Sequence, residues 1–261
     1  MPRRRRLIAA APLALLAGCA TRFYQDEAAS APPHLQVQNP GLQPPPGALT
    51  IDAGALAPGD ILLSAANGAT SLGIRLMTLS AVSHASLYIG EAQVAEAVGE
   101  GIRRRGVAEL VAEESTVVAF RHPGVRPEHV AKMRAFVDET VGQKYNYVGV
   151  MLQAPFSIER KMCEMPLTPS LVRDFCVQGV GAAQLGLGRS DRFFCSQFVL
   201  EAYRRAGLPL TSADPRLLSP ADLLHMREGD VPSVRSYQAL QYVGHLKCQP
   251  VTDTPAPYAP A

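Results

Sequence analysis

The 261-residue chain has no tryptophan, an aromatic content of only 6% and five cysteines. Five cysteines are too few for a small disulfide-built scaffold. It has little excess of either charge: 25 Lys and Arg stand against 23 Asp and Glu, a formal balance of +2. A nucleic-acid binder would carry a basic face or stripe, so that class is excluded. The longest leading apolar run, Leu7 to Ala17, is 11 residues, well short of the ~20 that span a bilayer as a helix. No HExxH or CxxC motif occurs, and the six histidines show no metal-ligand spacing, so no metal or other cofactor is expected. What remains is 47% hydrophobic and 18% charged, a globular composition with chain enough for a sizeable core.

The N-terminus reads as an address. Arg3 to Arg6 precede the apolar run, which ends in small residues, the order of a secretory signal peptide. Leu16-Ala17-Gly18-Cys19 resembles the lipobox of bacterial lipoproteins. That resemblance implies cleavage before Cys19 and lipidation of its sulfur, and several acyl chains together give stable anchoring. Ala20, in place of an inner-membrane-retaining Asp, points to the outer membrane facing the periplasm. Loss of residues 1–18 removes four arginines and no acid, leaving 21 basic and 23 acidic residues, a balance of −2. The membrane partner is therefore reached through the lipid on Cys19 rather than through a basic patch.

Six prolines fall within residues 28–48, which favours an extended semi-rigid tether. The tail from Gln249 holds four more in 13 residues. The expected organisation is a signal peptide at 1–18, a lipidated Cys and tether at 19–48, a globular domain at 49–248 and a Pro-rich tail at 249–261. Within the domain, strands are expected at Ile61-Leu62-Leu63, over SHASLYIG (Ser83 to Gly90), over Gln93 to Val98 and over Thr116 to Arg121. A helix is expected from Pro127 to a stop at Gly142, another from Cys195 to about Ala206, and a third from the capping Ser219. Strands followed by helices give an α+β class.

Cys195 stands where a helix begins. There the helix dipole and unpaired N–H groups favour thiolate and could hold an oxyanion; taken alone it is equally a buried structural thiol. His84 alternates onto the polar face of its strand with Ser86 and Tyr88, and imidazole has the basicity a nucleophilic cysteine needs from a partner. Glu96 lies on the next strand. A three-residue loop at 90–92 sets it on the His84 face, where it could orient the imidazole; a two-residue loop sets it on the opposite face.

Asp60 in PGDILL, His84 in HASLYIG, Glu96 in the following strand and Cys195 in FFCSQFV together resemble the permuted papain-like cysteine hydrolases of the YiiX group, relatives of NlpC-type cell-wall peptidases, and most closely their YaeF-type lipoprotein branch. The resemblance covers most of residues 50–246. It implies a circularly permuted papain-like fold, a small antiparallel sheet or partial barrel packed against the helix that bears the nucleophile. It implies Cys195, His84 and Glu96 as catalytic residues. Tyr145 in GQKYNY resembles the Gly-x-x-Tyr segment of that superfamily, making it an oxyanion or substrate candidate together with Ser196. Two departures stand out: Phe194 replaces the usual Asp before the nucleophile, and an insert at 148–192 separates Tyr145 from Cys195. In an oxidising periplasm, Cys163 and Cys176 could close a local disulfide, leaving Cys248 unpaired.

The first functional reading is a thiol amidase or peptidase acting on a peptide, a cell-wall fragment or an N-acylated compound. The alternatives are a lipid acyltransferase or phospholipase on the same site, suggested by an apolar approach of Phe193, Phe194 and Phe198, and a non-catalytic lipoprotein that binds an envelope ligand.

Overall fold

The computed structural model describes residues 21–24, 34–37, 42, 48–66, 71–72, 74–75, 80–144, 159–160, 162–164, 168–185, 193–229, 231 and 234–248. The signal segment, Cys19, Tyr145, about half of the 148–192 insert and the Pro-rich tail lie outside them. Within the stretch expected to be a tether, Thr21–Tyr24 (β1) pairs antiparallel with His34–Val37 (β2), so that stretch is not polyproline throughout.

Ile61–Ala65 (β3) is buried at every residue. Such a run is the signature of a central strand covered on both faces. His84–Gly90 (β4) and Thr116–Arg121 (β7) flank it. Gln93–Val98 (β5) and Gly101–Gly106 (β6) extend the sheet on one side, and Gln241–Cys248 (β8) closes the other. The result is an open, antiparallel six-stranded sheet in the order β6-β5-β4-β3-β7-β8. The structure is thus a mixed α/β arrangement with an open sheet.

Period-2 alternation divides the sheet residues between two cores. Ile61, Leu63, Ala85, Leu87, Ala95 and Phe120 meet two helices, Pro127–Thr140 (α2) and Cys195–Arg205 (α4). Leu62, Tyr88, Val94, Val117 and Ala119 meet Val107 and Leu110 of the short helix Val107–Glu113 (α1). This second core covers the polar His84-Ser86-Tyr88 face: Ser86 and Glu96 are fully buried under a layer to which α1 contributes.

The α4 residues Phe198, Val199 and Ala202, all inaccessible, form the stripe that seats this helix on β4 and β5. On α2 the buried residues are Met133, Phe136, Val137 and Thr140; Val141 caps the helix and is exposed. Pro220–His225 (α5) starts at a capping box in which Ser219 Oγ accepts the Asp222 N–H and Asp222 accepts the Ser219 N–H. Part of the insert is helical, Ser170–Leu185 (α3).

Candidate active site

The relative placement of His84 and Glu96 turns on one backbone irregularity. Glu91 and Ala92 both have positive φ, 55° and 54°, the two-residue turn whose twist matches a hairpin. Such a loop alone would set Glu96 on the apolar face. Between Tyr88 and Gly90 the register shifts by one: Gly90 pairs with Gln93, but Tyr88 pairs with Val94 and Leu87 with Ala95. The extra residue restores parity. Continuing that register puts Ser86 opposite Glu96, with His84 one diagonal step away. The separation is then short enough for His84 Nε2 and Glu96 Oε2 to hydrogen-bond at 2.8 Å.

Glu96 is fully buried and heavily bonded. Arg103, its neighbour on β6, donates Nε to Oε1 at 2.9 Å, and Arg105 places Nε 2.8 Å from Oε1 and donates Nη2 to Oε2 at 3.2 Å. Burial alone would raise the carboxyl pKa; the His84 hydrogen bond and the charges of His84 and Arg105, helped by Arg103, overcome it and bring it down to about 2. The same balance acts on His84. Burial opposes its charged form, but hydrogen bonds to the Cys195 thiol and to Glu96, together with their charges, raise its pKa to about 10. With Nε2 committed to Glu96, Nδ1 is the nitrogen left for the thiol. Cys195, His84 and Glu96 thus form one chain of contacts, although Cys195 is distant in sequence from the other two.

Cys195 is the first residue of α4 and is 6% exposed. The preceding Phe194 is extended and makes no side-chain cap. The first-turn N–H groups therefore keep no intrahelical and no capping acceptor. Next along, Ser196 is inaccessible and its Oγ donates to the Leu218 carbonyl at 2.7 Å. That bond commits the hydroxyl to tying α4 to the loop before α5. Phe193, Phe194 and Phe198 are also buried, with Phe193 and Phe198 packed on Phe136, so they are core rather than an apolar approach. Asp60 likewise stands apart, at the other end of β3, where Arg121 grips it with two hydrogen bonds of 2.7 Å.

Three residues near the site escaped the sequence reading. Arg103 and Arg105 lie in a run of three arginines that reads as a polar loop but folds as β6. Glu114 caps α1 close enough to feel His84, Arg105 and Glu96, and burial raises its pKa. The signal for the arginines was Glu96 itself: a carboxylate flanked by Ala95 and Ala97 in a strand needs buried counter-charge.

Cys163 and Cys176 are bonded, with Cα atoms 5.8 Å apart, as expected; Cys248 ends β8 as an exposed free thiol. Among the described residues no group of three or more His, Cys, Asp or Glu side chains could hold a metal ion, and no helix is long and apolar enough to cross a membrane.

No family model matches the chain. It is 40% identical over 200 residues to the probable lipoprotein peptidase YaeF of Escherichia coli strain K12, covering 76% of this chain and 73% of that protein. The chain belongs to the YaeF family. The resemblance read from the sequence therefore holds at family level. A further likeness is to the crystal structure of the metalloprotein yiiX from Escherichia coli O157:H7, with 19% identity and a TM-score of 0.41, covering 71% of this chain and 94% of that one.

Proposed function

We propose that the protein is an envelope-anchored cysteine hydrolase that cleaves an amide bond in a peptide, a cell-wall fragment or an N-acylated compound. The observation that carries this reading is His84 bridging Cys195 and Glu96 at the uncapped start of a helix. The name of the YaeF relative, a probable lipoprotein peptidase, supports hydrolysis of this kind.

In the proposed reaction the Cys195 sulfur, its proton passed to His84, attacks the substrate carbonyl carbon. The carbonyl oxygen becomes an oxyanion facing the free N–H groups of the first turn of α4. His84 then gives its proton to the leaving nitrogen, the C–N bond breaks, and a thioester remains on Cys195. Water attacks that thioester while His84 accepts its proton, releasing the carboxylic acid and restoring the thiol–imidazole pair. Glu96 touches neither substrate nor sulfur in this scheme; it orients the imidazole and stabilises imidazolium. Tyr145 is proposed on the oxyanion side by its motif alone.

The order His84, Glu96, Cys195 makes this a circularly permuted papain-like site. Residues 1–18 would serve as signal peptide and Cys19 as lipid anchor, with 19–48 holding a domain of residues 49–248 off the outer membrane on its periplasmic side and 249–261 as a tail. Acyl transfer from a lipid is the second reading, favoured by the exposed Leu171, Val172 and Phe175 on α3.

Labelling with an iodoacetamide probe tests the centre. Cys195 should label first in the mature protein, and Cys195→Ala should abolish that labelling with the fold intact. Labelling confined to Cys248 in both proteins would refute the reading. Incubation with phospholipid vesicles separates the second reading, which requires an acyl mass on Cys195.

A further inference from the structure

β4 carries His84 at its first residue and Gly90 at its last, so its ends lie about 20 Å apart at roughly 3.3 Å per residue. The candidate active site occupies the His84 end. At the Gly90 end an open cleft of about 580 Å³ lies between the loop before β3, the end of β7 and the first turns of α2. Pro58, Val125 and Val130 give it apolar walls, and Arg121, Arg126, Arg134 and His122 face it, with Asp60 the acid among the lining residues.

The charge there is not spent internally. Arg121 pairs bidentately with Asp60, which cancels both. Arg134 has no carboxylate partner among the described residues. Its Nε donates to the Ile89 carbonyl at 2.7 Å, which fixes the guanidinium, and neither Nη group has a hydrogen-bond acceptor among the described residues. Gly90 makes room for it: a Cβ there would collide with Arg134 Nη2. Arg126, its side chain 71% exposed with Glu128 3.8 Å away, stands at the rim where α2 begins, and the helix dipole adds to the positive field.

His122 is a second donor on the cleft wall. It is 98% buried (2% exposed). Its Nδ1 accepts the Gly124 N–H at 3.0 Å, which puts the ring proton on Nε2, and that N–H meets no acceptor among the described residues. Burial, with His129 nearby, holds its pKa below the usual value. His122 lines the cleft beside Arg134, so its Nε2–H is a further donor that an arriving acceptor can take.

We propose that this cleft is a second binding site, for a small ligand bearing an oxyanion, phosphate or carboxylate, held by Arg134 and His122 Nε2–H with Arg126 at the rim. The apolar walls take the carbon skeleton. Arginine suits such groups because its paired N–H donors match two oxygens at once. The site needs nothing from Cys195.

The test uses the mature Cys195→Ala protein, so that a failure here and a failure of the hydrolase reading remain distinct. Phenyl phosphate, benzoate and inorganic phosphate are titrated by calorimetry, and phosphatidylcholine vesicles with and without phosphatidylglycerol by sedimentation. Saturable binding of phenyl phosphate or benzoate is expected, tighter than inorganic phosphate and weakened by salt. Arg134→Gln should weaken it by about tenfold or more, the scale of removing one charge-assisted hydrogen bond. Arg126→Ala, a rim change that leaves packing alone, should weaken it by a few fold. Binding of anionic vesicles that Arg134→Gln abolishes would assign the phosphate to a lipid headgroup; binding of the free probes alone would assign it to a soluble ligand. Absence of saturable binding by every probe, or unchanged binding in a folded Arg134→Gln protein, would overturn the proposal.

Discussion

Replacing Glu96 with Gln keeps the side chain's shape and removes its charge, and the structure says what that costs. The carboxylate is fully buried against His84, Arg103 and Arg105. Its pKa, brought from 4.5 to about 2, corresponds to about 3 kcal/mol of stability at roughly 1.4 kcal/mol per tenfold in proton affinity. Breaking a buried pair from one side costs about 3–5 kcal/mol. Arg105, with only 4% of its side chain exposed, keeps Glu113 as a partner after the change, so a loss near the lower figure is expected. The pH dependence carries the sign. Glu96 is depressed, so its contribution is complete above pH 4.5 and fades as pH falls toward 2. His84 is raised from 6.5 to about 10, so its contribution is complete below pH 6.5 and fades as pH climbs through 10. Urea unfolding from pH 3 to 10 (a range set by these two titrations) should give a wild-type minus Glu96→Gln difference that is greatest between pH 4.5 and 6.5 and shrinks on both sides. A difference independent of pH would refute the coupling of the two groups, even if the variant were less stable.

Three further outcomes follow from the packing. Cys163→Ser with Cys176→Ser should lower stability by up to about 3 kcal/mol on the chain-entropy account of a loop this size, and mass mapping of an unreduced digest should find Cys248 unpaired in the wild type. Ser219→Ala removes the acceptor of the Asp222 N–H and the hydroxyl that donates to the Asp222 carboxylate at 2.7 Å; thermal unfolding should report a loss of about 1 kcal/mol. Gly90→Ala forces a side chain onto a φ of 92°, costing about 1–2 kcal/mol, and pushes the Arg134 guanidinium aside, which a chemical-shift change at the Arg134 side chain would register.

Much of the sheet was readable because its strands obey period-2 alternation. The ILL, HASLYIG, QVAEAV and TVVAFR segments all lie in strands, and the helices expected at Pro127, Cys195 and Ser219 start within a residue of those positions. β6, α1 and β8 were not readable. GIRRRG is polar at three successive positions, yet in the sheet Arg103 and Arg105 turn to Glu96 while Arg104 turns to Asp138. Only the neighbouring strand makes this an alternation. QYVGHLKC is interrupted by Gly244, whose backbone lies against Ile51 and Leu49; the need for glycine there is tertiary and leaves no local pattern. α1, which the sequence does not announce, is part of the layer that buries the polar His84 face.

The orientation of Glu96 shows why the site was legible in its members but not in its geometry. The residue types of a thiol, an imidazole and a carboxylate can be listed from sequence, because each sits in a recognisable local setting. Whether the carboxylate reaches the imidazole depends on parity across one hairpin, and parity is not a composition property. Here the turn alone gives the wrong answer and the bulge reverses it. Burial then makes the correct register self-reinforcing. With Glu96 on the other face, a carboxylate would enter the core of Leu87 and Phe198 without Arg103, Arg105 or His84 to meet it, a desolvation cost that no local gain offsets. The charges that tune His84 therefore also select the strand register that holds it.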